Sequence, residues 1–222
     1  MLRRLRRARR DEGGFTLVEL LVSMTIFSVL MAIILSLMIT MMNQAKDNLG
    51  RQRAVEQARL GLSQIDRQIR SGNLILDPAL DGIAESGVPA NYSLRIYTQE
   101  GGEDKCVQWR VIFSGGSAFG QLEYREWSPT DTSTVTNWGR VASNLVEPTA
   151  SFSPTDPQSW LPFWVDTTLP TGTDAQNIRI TLRLNDPDAQ AGAKPQVITS
   201  VVTGRNTVFG YPSLTCSTVP TP

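Results

Sequence analysis

The stretch Gly13-Gly14-Phe15-Thr16-Leu17-Val18-Glu19 leads into residues 20–45, an apolar run of 26 positions without a single Asp, Glu, Lys or Arg. About 20 apolar residues cross the hydrocarbon core of a bilayer. The run is therefore long enough for a membrane helix, and no Pro interrupts it. Glu19 stands at its edge, where a carboxylate is tolerated if it reaches the interface, is neutralised or meets a fixed positive partner. Six arginines within residues 1–10 are one possible partner. A new α-amino group, created by a cut just before Phe15, is another.

With its short basic leader and long apolar helix, Gly14-Phe15-Thr16-Leu17-Val18-Glu19 resembles the class III signal of type IV prepilins and type II secretion pseudopilins. The resemblance implies cleavage between Gly14 and Phe15 by prepilin peptidase and methylation of the new Phe15 amine. It also implies that Glu19, fifth in the mature chain, pairs with the amine of a neighbouring subunit during filament assembly. The physical chemistry agrees: Gly13-Gly14 has little bulk and poor helix propensity at the cleavage point. A buried carboxylate without its partner is costly, so docking is favoured only in the register that satisfies Glu19. The competing reading is an uncleaved signal anchor with Glu19 in the headgroups.

The implied organisation is a leader at residues 1–14, a transmembrane and filament-core helix at 15–45, an amphipathic helix continuation at 46–73 and a β-rich extracytoplasmic head at 74–222. The expected fold class is α+β, pilin-like, with the C-terminal half of the helix packed on an antiparallel β-rich head. The arginines of the leader hold the N-terminus in the cytoplasm and send the head outward, so the expected location is single-pass in the cytoplasmic (inner) membrane, then filament or cell surface. The precursor has zero net charge; removal of six Arg, Asp11 and Glu12 leaves 15 basic against 19 acidic residues. A net of minus four is not the balance of a generally basic nucleic-acid binder.

After a polar break at residues 43–51, Val55, Ala58, Leu62, Ile65 and Ile69 recur at helical spacing and predict a narrow stripe packed on a sheet. Gly72-Asn73 is the expected stop, with Gly72 able to turn left-handed. Residues 92–98 alternate, with Leu94 and Ile96 on one side and Arg95 on the other. A polar turn at 99–105 then leads to Val107, Trp109, Val111 and Phe113 on a common face, which reads as a hairpin. Further strands are predicted at 121–127, 141–145, 149–152, 177–185 and 196–203, the last two as a second hairpin across a polar connection at 186–194. Residues 128–137 read as an exposed loop. The aromatic segment 160–165 suits a sheet edge or a loop over the core, and core packing is a better account of it than a carbohydrate platform.

A second, looser resemblance spans the head. Val141-Ala142-Ser143-Asn144-Leu145 leading to Phe152, the strand from Ile178 to Leu184, and Val201-Val202-Thr203-Gly204-Arg205-Asn206 are similar to J-type minor pseudopilins and W-type minor pilins. Cys106 and Cys216 fall in the part expected outside the cytoplasm, where oxidation is possible. A disulfide closing the tail onto an early strand and two buried free thiols are both open readings.

No His is present, which excludes Ser-His-acid and Cys-His nucleophile pairs and His-containing zinc sites. The Gly pairs lack the Lys-Ser/Thr ending of a phosphate loop, so the resemblance implies an inner-membrane assembly platform powered by a separate ATPase. Asn185, Asp186 and Asp188 lack the spacing and distal Glu of an EF-hand, and an ordinary turn explains them. Asp77 and Asp81 are a carboxylate pair of the kind any surface supplies. The expectation is a non-enzymatic minor pilin or pseudopilin without cofactor or metal. Its implied partners are prepilin peptidase, other subunits and membrane lipid. An adhesin or DNA-binding minor pilin and, more weakly, a membrane-tethered hydrolase are the alternatives.

Overall fold

The computed structural model describes residues 14–148, 151–165, 177–185, 187, 194–204 and 215–221. The protein is α+β. A 55-residue helix, α1 (Leu17–Ser71), is followed by the strands β1 (Gly72–Ile75), β2 (Ser93–Glu100), β3 (Glu103–Ile112), β4 (Gly120–Trp127), β5 (Gly139–Leu145), β6 (Phe163–Val165), β7 (Asn177–Leu184) and β8 (Gln196–Thr203). A one-turn helix, α2 (Ile83–Ser86), lies between β1 and β2. The chain divides into two compact units, residues 1–46 and 47–222.

In the first unit every described residue is exposed. The helix begins at Leu17, two residues later than the apolar pattern predicts, because Thr16 caps it: its carbonyl accepts from the Leu20 N–H at 3.1 Å and its hydroxyl from the Glu19 N–H at 3.2 Å. Hydroxyls within the apolar run turn back on the helix, Thr25 to the Val22 carbonyl, Ser28 to that of Met24 and Thr40 to that of Ser36. They need no outside partner. The polar break at 43–51 changes the side-chain pattern and leaves the backbone helical.

In the second unit the buried stripe of α1 is Ala54, Ala58, Gly61, Leu62, Ile65, Gln68 and Ile69. Ala54 replaces the expected Val55, which is only partly buried. The stripe joins one core with Leu94, Ile96, Val107, Trp109, Val111, Leu122 and the apolar face of β7. Each fully buried aliphatic or aromatic side chain in such a core stabilises the fold by about 1.5–3 kcal/mol.

The sheet is antiparallel, in the order β1-β2-β3-β4-β5-β7-β6, with β8 on β7. The alternation has period 2, so the hairpin registers place like with like: Leu94 opposite Trp109, Ile96 opposite Val107, Trp109 opposite Tyr124. Residue 178 of β7 pairs with Val165 and Val202, and the β7–β8 register is unbroken from Asn177↔Thr203 to Leu184↔Gln196.

Several expectations are corrected here. The broad turn at 99–105 contracts to Gly101-Gly102, at φ +65° and +89°, because two left-handed residues make the tight hairpin turn that the strand twist favours. Gly72 is not a left-handed helix stop; it opens β1 opposite Thr98. A Cβ there would lie 2.9 Å from Ile96 Cγ2 and 3.0 Å from the Gln68 carbonyl, so close approach requires glycine. Ser151 and Phe152 are not strand, and the rest of the strand expected at 149–152 lies outside the described residues. So do Arg205, Asn206 and most of the connection at 186–194. Finally, β2, β3, β4 and β7 bury residues on both faces, where the alternation predicts one, while β8 keeps an exposed side.

Candidate assembly segment and head surface

Gly14, Phe15 and Thr16 are extended or irregular backbone ahead of α1, and a Cβ built on Gly14 meets nothing within 4 Å. Phe15 is 78% exposed. Glu19 occupies the third position of the helix, where its charge complements the N-terminal end of the helix dipole. Its role in the cap went unread in the sequence, although Thr16-x-x-Glu19 is the spacing of a capping box. Behind it the helix has an 18-residue window with mean hydropathy 2.6, none of it buried. Length and composition suffice for one membrane crossing.

The head carries a second polar assembly, on the sheet face away from α1. Arg95, Gln108, Arg110 and Arg125 come from β2, β3 and β4 and are all buried. The register makes them neighbours, Arg95 opposite Gln108, Gln108 opposite Arg125 and Arg110 opposite Glu123. Arg110 donates to Glu123 at 2.8 Å and to the Ser86 carbonyl at 3.0 Å. Arg95 Nε lies 3.2 Å from Asp81, whose same oxygen accepts from the Ser93 hydroxyl at 2.7 Å. The guanidiniums of Arg110 and Arg125 stack on Trp138, 3.7 and 4.3 Å from its ring centroid. Burial, with Arg110 as a like-charged neighbour, holds Arg125 well below its ordinary value, at about 10.

This layer answers the carboxylate-pair question. Asp81 is an internal ion-pair and hydrogen-bond acceptor, whereas the exposed Asp77 carboxylate accepts from the Ala79 N–H in a turn. Cys106 and Cys216 are joined in a disulfide, both sulfurs belonging to residues that are almost fully buried. The arginines of the layer stood in the sequence on the supposed solvent side of alternating strands. Their only signal was a repeated Arg or Gln at every second position, which a solvated face shares.

At the far edge, Phe163 of β6 enters the core, and Trp160 and Trp164 flank Arg179 at 4.1 and 4.8 Å. The aromatic segment is thus a sheet edge, its indoles covered by a guanidinium. Among the described residues no three His, Cys, Asp or Glu side chains group to hold a metal; Asp186 and Asp188 lie outside them.

Residues 9–35 match the family described as the prokaryotic N-terminal methylation motif. No curated protein and no solved structure matches the chain. The matched segment brackets Gly14, Phe15 and Glu19 and runs into the apolar part of α1. Motif, apolar helix and β-sheet head together support a likeness to the type IV pilins and pseudopilins.

Proposed function

We propose that the protein is a minor pilin or pseudopilin, a structural subunit that is processed by prepilin peptidase and then incorporated into, or primes, a type IV pilus-like or type II secretion filament. The observation that carries this is the methylation motif at residues 9–35, which runs into the charge-free stretch 20–45 of a helix long enough to cross a membrane. In this reading residues 1–14 are a leader that stays in the cytoplasm, the cut falls between Gly14 and Phe15, and the new Phe15 amine is methylated. An exposed, non-helical Gly14 with open space around its Cα supports access by a protease.

Glu19 then acts in assembly. In the described residues its side chain has no ion-pair partner, and the amine of an adjacent subunit supplies one. A carboxylate that is costly without that partner and stabilised with it selects one axial register among neighbouring helices. Filament neighbours and lipid accommodate the apolar surface of residues 17–46. Energy for extraction from the membrane comes from a separate ATPase acting through an assembly platform.

Intact mass and N-terminal sequencing of the membrane-extracted protein from its native cells test this. A chain that starts at methylated Phe15 is the expected result. A chain still carrying Met1 and the arginine-rich leader would reduce the segment to a plain membrane anchor.

A further inference from the structure

Residues 215–221 lie across the polar face of the head and carry no charged side chain. They are held by their backbone. Arg95 donates to the Cys216 carbonyl at 2.9 Å and to that of Ser217 at 3.3 Å. Arg125 donates to the carbonyls of Thr221 at 2.8 Å and Pro220 at 3.1 Å, and otherwise to the Gln108 side-chain oxygen at 2.9 and 2.7 Å. Arg95 is 6% and Arg125 2% exposed. A buried guanidinium stripped of acceptors is strongly unfavourable. The tail carbonyls are therefore part of what allows these two arginines to sit inside the head.

The tail has little of its own to stay there with. Pro220 is its one buried apolar side chain apart from Cys216, and Val219 is partly exposed. Four hydrogen bonds, each modest in net effect, oppose the conformational entropy of ordering seven residues. The remaining anchor is covalent: Cys216 is bonded to Cys106 of β3, 110 positions away, and lies against Tyr97 and Trp127.

We propose that residues 215–221 are a strap latched by oxidation: the Cys106–Cys216 bond keeps the strap carbonyls on Arg95 and Arg125, and in the reduced chain the strap lifts and opens the arginine layer to water. The oxidant is a disulfide-bearing exchange protein of the compartment that holds the head. One cysteine thiolate attacks its disulfide and forms a mixed disulfide; the other displaces it, and the exchange protein leaves as a dithiol. Two thiols have then lost two protons and two electrons, which the exchange protein has gained. The polar face closes only after the head has reached an oxidising environment, and this holds whether or not the leader is processed as proposed above.

Hydrogen exchange read by mass spectrometry on the detergent-extracted full chain tests this, comparing oxidised protein with the same folded protein after reduction by a phosphine. Because the tail contributes carbonyls rather than N–H groups, the strap is read in the same samples by labelling the Arg95 and Arg125 guanidiniums with a dicarbonyl reagent: at least about tenfold faster labelling is expected on reduction, a factor that corresponds to about 1.4 kcal/mol of opening, with amide protection retained in β2 and β3. Cys216→Ser, purified separately, should match the reduced wild type. Unchanged labelling of Arg95 and Arg125 on reduction would overturn the latch, since the hydrogen bonds alone would then hold the strap. Simultaneous loss of protection throughout the head would overturn it too, because the bond would be a staple of the whole fold.

Discussion

The two parts of α1 carry apolar residues at different densities and meet opposite surroundings. In residues 17–46 the side chains of Phe27, Ile33 and Ile39 are 61%, 52% and 59% exposed, and the apolar surface runs all round the helix. Between Ala54 and Ile69 the buried residues form one stripe, with Ala58, Ile65 and Ile69 fully buried against the protein's own sheet, while Leu60 is exposed. Arg51, Arg53, Arg59, Arg67 and Arg70 occupy the other faces. A stripe can be satisfied by one surface, but a helix greasy on every side requires an enclosing medium. The difference assigns the second part to folding of the head and leaves the first long and apolar enough to cross a membrane.

Changes on either side of that divide should therefore separate assembly from stability. The largest effect is expected from Glu19→Ala: filament incorporation, measured by quantifying the subunit in sheared filaments, should fall by at least about tenfold, the change made by 1.4 kcal/mol in an equilibrium. Membrane insertion and the thermal unfolding of the head should not move. Normal incorporation would remove Glu19 from the assembly role.

On the other side, Ile65→Ala should destabilise the head by about 2–5 kcal/mol through lost burial and a residual cavity, read as a lower denaturant midpoint with membrane insertion intact. A change of a few tenths would mean that the stripe does not hold the sheet. A smaller loss, about 1–3 kcal/mol, is expected from Gln68→Ala, because the indole N–H of Trp109 now donates to Gln68 Oε1 at 2.6 Å and would be left buried without an acceptor. Gln68→Glu, which keeps an acceptor in place, provides the contrast by denaturant unfolding.

The smallest effect concerns a half-buried carboxylate on β4. Desolvation pushes the Glu126 carboxyl up, but hydrogen bonds from Tyr124 and Lys105 outweigh it and hold the group below its ordinary 4.5. A depressed carboxyl stabilises the fold above the unfolded value, and that contribution fades as pH falls from 4.5 through the folded value. Thermal scans between about pH 6 and 3 should show a shallower acid slope for Glu126→Gln than for the wild type. Equal slopes would show that other carboxylates dominate acid unfolding.

Much of the architecture was legible because it is written locally. The charge-free run, the spacing of Ala58, Leu62, Ile65 and Ile69, and the alternations in β2, β3 and β7 each follow from a helical or strand period. The N-terminal motif was legible for the same reason, since Gly14, Phe15, Thr16 and Glu19 are contiguous. Finer features were missed where one residue serves two rules. Thr16 reads as part of an apolar entry yet ends it as a cap, and Gly72 reads as a helix stop yet opens a strand because Ile96 leaves no room for a Cβ.

A pilin-like entry segment, a helix in two chemical parts and an antiparallel head are all specified locally, because charge and periodicity act over a few residues. The closing of the second face over β2, β3 and β4 depends instead on contacts between distant parts of the chain. Arg95 and Arg125 alternate with apolar residues as a wetted face would, and their acceptors, the carbonyls of Cys216, Ser217, Pro220 and Thr221, lie in the C-terminal tail, far along the chain from β2 and β4. A backbone carbonyl has no side-chain signature, so no pattern in the sequence announces which guanidinium it will meet.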